Sequence, residues 1–216
     1  MKIYDSFGPN PRALRMFLLE KNVTLPTETV DLMGAENRRP PYTDRNPAGQ
    51  VPALELDDGR VLGETVAIFE YLEEKYPTPP LVGRTAEERA ETRMWQRRIE
   101  LGITEHLYNA FRYAEGAALF EARMRILPEA APGLKAIVQD KLGWLNGLLA
   151  GKEFLAGPRF TIADIILYCA IDFGGSVGQP LDPSLTQVGS WFARVAARPS
   201  ATGSLHPTAA ATGMRG

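Results

Sequence analysis

Asn46-Pro-Ala-Gly-Gln-Val-Pro-Ala-Leu-Glu-Leu-Asp-Asp-Gly-Arg-Val-Leu-Gly-Glu-Thr-Val-Ala-Ile-Phe-Glu-Tyr-Leu72 is the stretch that decides the fold. It opens on a loop carrying two prolines, which fix φ and donate no backbone hydrogen bond. Ala53 to Leu56 then reads as a strand. Asp57-Asp58-Gly59 reverses the chain, because Asp and Gly tolerate turn conformations, and Arg60 to Leu62 returns beside it. Gly63-Glu64-Thr65 leads into Val66, Ile68, Phe69 and Leu72, whose spacing is helical. Such a unit leaves free amides at a helix start, which favours a small anionic ligand.

Working outward, Lys2 to Asp5 is a short strand and Ser6 to Pro11 a loop. Arg12 to Lys21 places Leu14, Phe17 and Leu18 on one helical face, with Asn10 suited to the N-cap and Pro11 to the first turn. Thr27 to Leu32 reads as a second strand, and residues 34–44 as an irregular polar segment with room for one short helix. The order is βαβ, an irregular segment, then ββα, which is thioredoxin-like. Pro77-Thr78-Pro79-Pro80 cannot continue a helix, so a linker is expected from there to about Thr85. Beyond it strand signals vanish. Ala86–Tyr113, Leu134–Leu149, Thr161–Phe173 and Leu185–Ala197 carry helical patterns. The expected fold is therefore α/β followed by all-α: residues 1–77 a thioredoxin-like domain, residues 86–200 an all-helical domain, and residues 201–216 a loosely held tail rich in Ala, Gly, Thr and Pro. Thr161 with Asp164 three positions on forms a variant capping box, a stability element that needs no ligand to explain it.

Composition narrows the function classes. The 216 residues are 44% hydrophobic, enough for a sizeable core, and the net charge of −2 argues against nucleic acid as a partner. Cys169, the single cysteine, has no partner for an internal disulfide; it sits in an apolar helical run that favours burial. No apolar run approaches the roughly 18 residues of a membrane span, and Met1-Lys2-Ile3-Tyr4-Asp5 carries no signal-peptide pattern. A cytoplasmic protein is expected. No His, Cys and Asp cluster has metal-ligand spacing, and no Gly-rich phosphate loop occurs.

The ordered loop, turn and helix start resembles the glutathione-binding half of cytosolic glutathione transferases, and the helical half extends the likeness to about Ser200. Tyr4-Asp5, Glu20-Lys21-Asn22 and Leu54-Glu55-Leu56-Asp57-Asp58-Gly59 are similar to a bacterial and fungal branch related to the phi and nu classes. The resemblance implies glutathione as co-substrate, a homodimer, and a cis proline at Pro52. It implies that Gln50 and Val51 present backbone to the cysteinyl part of glutathione. It places Glu64 and Thr65 at the γ-glutamyl end, and Asn37 and Arg38 at the glycine carboxylate, with Arg39 a neighbouring alternative. A planar multi-donor guanidinium suits a carboxylate. Equally, Glu64 can serve only to compensate the helix dipole, and either arginine can be plain surface charge.

The implied reaction is attack by glutathione sulfur on a small hydrophobic electrophile. A thiol of pKa near about 8.5 is mostly protonated at neutral pH, so a donor must favour the thiolate. That donor belongs to the loop Ser6–Pro11, where many relatives carry Ser, Tyr or Cys. Asn10 and Ser6 are the candidates, and backbone amides or a water the alternative. His106, Tyr108, Asn109, Arg112 and Tyr113 share a helix face that the resemblance makes the electrophile wall. A glutathione-dependent peroxidase or reductase, and a non-catalytic glutathione-binding protein, are the rival readings.

Overall fold

The computed structural model describes residues 1–216. Strand β1 (Lys2–Asp5) is central, and Ile3 and Tyr4, which point to opposite faces of the sheet, are both buried. It runs parallel to β2 (Thr27–Thr29) and antiparallel to β3 (Ala53–Glu55), which pairs with β4 (Val61–Leu62), giving the order β2-β1-β3-β4. Ile3 lies opposite Thr27 on one side and Leu54 on the other. The hairpin turns at Asp57–Gly59 as read: Gly59 takes φ +82°, and Asp58 accepts from the Arg60 amide at 3.1 Å. β2 stops three residues short of the expected Leu32. The Val30 amide still donates to the Asp5 carbonyl, but Asp31 then caps a turn by accepting from the Gly34 amide at 2.8 Å, and the chain leaves the ladder.

Helices α1 (Pro9–Lys21), α2 (Tyr42–Arg45) and α3 (Thr65–Lys75) complete this region. Phe17 of α1 stacks on Phe69 of α3 at 4.6 Å, with Leu14, Leu54, Ile68 and Leu72 buried around them. The Lys21 ammonium is enclosed with Glu73 and donates to the carbonyls of Tyr76 and Pro79, so a charged pair ties the end of α1 to the linker.

The chain divides into two units, Met1–Pro80 together with Gly203–Gly216, and Leu81–Thr202. The linker ends where Thr85 caps α4 (Ala86–Ile99), accepting from the Glu88 amide. The expected single helix to Tyr113 is α4 and α5 (Glu105–Tyr113) joined by a π turn at Glu100–Thr104, which contains Gly102. After α6 (Ala117–Phe120) come α7 (Ala131–Leu148), α8 (Ile162–Ser176) and α9 (Thr186–Ala196). Almost all of α8 is buried, Cys169 included, because its sequence is apolar all round. The Thr161–Asp164 capping box forms, and Asp164 also accepts from Trp191 and the Leu155 amide. No helix is long and apolar enough to cross a membrane.

The segment after α10 (Pro199–Gly203), including α11 (Thr208–Thr212), is not a loose tail. It groups with the first unit and buries Ser204 and Gly216.

Candidate active site

Two prolines shape the loop between β1 and α1. Proline is pre-set for a helix and lacks an amide that the first turn would leave unpaired anyway. The helix therefore begins at Pro9, two residues before the Pro11 expected in its first turn, with Gly8 at the N-cap (φ +138°) and its carbonyl accepting from the Arg12 amide at 3.0 Å. Asn10 consequently stands inside the first turn and not at the cap. It is exposed, and its side chain makes no hydrogen bond within the chain. With Pro9 and Pro11 on either side, Asn10 contributes the one free amide of that turn together with a free carboxamide.

Ser6 is placed differently. It is 3% exposed, and its hydroxyl donates to the Val30 carbonyl at 2.7 Å. Its proton is committed to joining β1 to the chain after β2, so the hydroxyl is not available as a donor to sulfur.

The loop before β3 is held from beneath. The Val51–Pro52 bond is cis, as the resemblance implied. Asn46 and Tyr42 both donate to the Gln50 carbonyl, at 2.8 and 2.5 Å, and Asn37 donates to the Gly49 carbonyl at 2.6 Å. Gly49 has φ +60°, and a Cβ there would lie 2.7 Å from the Asn37 carbonyl, so only glycine lets these segments meet. Asn37 thus serves as a buried strut, while the neighbouring Arg38 is exposed and forms no ion pair in the chain. Val51 is partly exposed, and no backbone hydrogen bond uses its amide or carbonyl. A peptide whose amide and carbonyl are both unpaired in the chain can pair with the backbone of a bound peptide.

Glu64 closes the arrangement at the start of α3. It takes φ +63° and ψ 116°, an unfavourable region for a residue with a side chain, and it caps the helix without engaging its own carboxylate. Strain of this kind clusters at ligand sites. Thr65 follows, partly exposed at the first helical position. Asn10, Arg38, Gln50, Val51, Glu64 and Thr65 therefore all lie in the first unit, with the Asn10 side chain and the Val51 backbone left without a partner in the chain. The other expected wall residues lie on α5 in the second unit, where Asn109 donates to Glu105 at 2.8 Å and accepts from Arg112 at 3.0 Å.

The struts beneath the loop were missed in the sequence because Tyr42 and Asn46 look like ordinary polar-segment residues; the signal was their spacing of four on α2 and its C-cap. Replacing Asn46 with alanine leaves the Gln50 carbonyl short of a buried donor. The expected cost is about 1–2 kcal/mol of stability. Denaturant unfolding of wild type and the Asn46→Ala variant checks this.

Residues 4–80 match the family model described as glutathione S-transferase, N-terminal domain, and residues 123–199 match glutathione S-transferase, C-terminal domain. Glutathione S-transferase GstA of Escherichia coli O157:H7 is 32% identical over 201 residues, covering 92% of this chain and 94% of that protein. Glutathione S-transferase 2 of Saccharomyces cerevisiae is 29% identical over 203 residues, covering 93% and 87%. The crystal structure of a glutathione S-transferase domain-containing protein from Marinobacter aquaeolei VT8 superposes with a TM-score of 0.88 at 38% identity, covering 93% of this chain and all of that one.

Proposed function

The chain belongs to the glutathione S-transferase family, and we propose that it conjugates glutathione to small hydrophobic electrophiles, with Asn10 as the group that favours the thiolate. The observation that carries this reading is the free Asn10 side chain beside the one free amide of the first turn of α1, in the same unit as the pinned Val51 peptide. Val51 pairs with the cysteinyl backbone. Glu64 meets the γ-glutamyl ammonium, Thr65 its carboxylate, and Arg38 the glycine carboxylate. The thiol proton leaves to solvent, and sulfur forms a bond to the electrophilic carbon as the bond to the leaving group breaks and takes its electron pair. Ser6 contributes to the scaffold of the loop and not to the sulfur.

The chain acts in solution as a homodimer in this reading. Met94, Leu101, Ile137, Trp144 and Leu148 are large apolar side chains left exposed on α4, the π turn and α7, and a second copy would cover such a face. Velocity sedimentation should give twice the chain mass, and a monomer at micromolar concentration would remove this part.

Activity with an aryl chloride, compared with reduction of an organic hydroperoxide, tests the reaction class. Conjugation should dominate. Turnover of the hydroperoxide alone, with glutathione disulfide as product, would replace the proposal by a peroxidase. Glutathione binding with neither turnover would replace it by a binding protein.

A further inference from the structure

We propose that a cavity at the far end of α1 binds a small phosphate monoester carried on a hydroxylated body, a sugar phosphate in kind. The cavity offers about 520 Å³ and is lined by residues 21–24, where α1 ends, and 75–78, where α3 runs into the linker. That volume falls within the roughly 300–1,000 Å³ of small-molecule sites. Lys21 closes the helix whose first turn holds Asn10, about 17 Å away along its axis. The cavity is therefore separate from the glutathione site and does not depend on that reading.

Its two walls are tied together within the chain. The Lys21 ammonium is buried and paired with Glu73, and it donates to the Tyr76 carbonyl at 2.9 Å and the Pro79 carbonyl at 2.5 Å. One side chain from the end of α1 thus holds the start of the linker in place. The helix ends are closed as well. The Asn22 and Val23 amides donate to the Leu19 and Leu18 carbonyls, and the Tyr76 amide donates to the Leu72 carbonyl. These bonds take up helix-end carbonyls whose partial negative charge would otherwise oppose an anion.

What remains unpaired is rich in donors. The Thr24 and Thr78 amides make no hydrogen bond in the chain, and neither do the side chains of Asn22, Thr24, Tyr76 and Thr78. Lys75 is exposed and forms no ion pair; its ammonium stands 5.7 Å from the centre of the Tyr71 ring. No carboxylate is among the lining residues, and Glu73 behind them is neutralised by Lys21. A free ammonium among amide and hydroxyl donors suits a phosphate. Hydroxyls and a carboxamide, which both donate and accept, suit the hydroxyls of a sugar. The space exceeds what a bare phosphate fills, which calls for the attached body.

Titration of glucose 6-phosphate, glucose and inorganic phosphate into the isotope-labelled full chain, followed by amide chemical shifts, tests this. Glucose 6-phosphate should shift the amides lining the cavity with a Kd below about 1 mM. Inorganic phosphate and glucose should each bind at least about fivefold more weakly. Lys75→Gln should weaken the sugar phosphate at least about tenfold and Thr24→Val about threefold, because a bond to a charged group outweighs a neutral one. Both side chains are exposed and unpaired, so these variants keep the fold. Saturating glutathione should leave the Kd within about twofold. Shifts confined to the start of α1, or displacement by glutathione, would overturn the proposal by placing the ligand in the glutathione site. The absence of a saturable shift, or a Kd that Lys75→Gln leaves unchanged, overturns it too. Glucose or inorganic phosphate binding as tightly as the sugar phosphate overturns the ligand class. Each of these results leaves the glutathione reading standing.

Discussion

Replacing Asp164 with alanine should cost about 3–5 kcal/mol of unfolding free energy, a large part of the roughly 5–15 kcal/mol that holds a typical protein together. The size follows from what the carboxylate holds. One oxygen accepts from the Leu155 amide at 3.0 Å and the Trp191 indole at 2.9 Å. The other accepts from the Thr161 amide and hydroxyl, at 2.9 and 3.0 Å. The site is wholly buried, so each donor left behind loses its partner without gaining water. Burial pushes the Asp164 carboxyl above its ordinary range, and these donors offset only part of that rise. The residue joins the segment before α8, the start of α8 and the Trp191 side chain of α9. Asp164→Asn should also destabilise, because it places an amide donor among donors. Denaturant unfolding followed by tryptophan fluorescence checks both, and a loss below about 1 kcal/mol for the alanine variant would mean the four donors find other partners.

Asn10→Ala should lower kcat/KM at neutral pH by about 10²-fold, equivalent to roughly 2.7 kcal/mol of lost transition-state stabilisation. The carboxamide is the free side-chain donor beside the first turn of α1, and the turn's remaining amide alone is a weaker anion site because its neighbours are prolines. Stability should barely change, since the side chain is exposed and bonded to nothing. Ser6→Ala should behave in the opposite sense. It removes the hydrogen bond to Val30 and so weakens the fold by about 1 kcal/mol, while turnover per folded molecule stays within about threefold. Equal turnover in wild type and Asn10→Ala would move activation to backbone or water.

The hairpin, the Glu64–Thr65 helix start and the Thr161–Asp164 box were legible because each is specified within a few residues: turn chemistry, a period change, a cap. The start of α1 was misplaced by two residues for a local reason. Gly8-Pro9 and Asn10-Pro11 both place a proline after a possible cap, and the helix starts at the earlier pair, where Gly8 takes a φ of +138° that a residue with a side chain rarely adopts, which leaves the asparagine side chain free. Features set by distant contacts were not legible at all. Lys21 reads as an ordinary helix-ending charge until Glu73 and the linker carbonyls close on it. Arg12 reads as a surface residue until Ser204, nearly two hundred positions on, is placed beside it. The small residues of 201–216 suggested looseness, yet Gly216 packs directly on Gly8. Ser6 was ambiguous because a hydroxyl after a strand can serve sulfur or backbone, and only the position of Val30 decides between them.

The most direct measurement is a spectrophotometric titration of the thiolate of bound glutathione, in wild type and in Asn10→Ala. The bound thiol should ionise well below its free value of about 8.5 in wild type and move back toward that value in the variant. A bound thiol that titrates as it does free in solution, or a lowered pKa that Asn10→Ala leaves untouched, would contradict it.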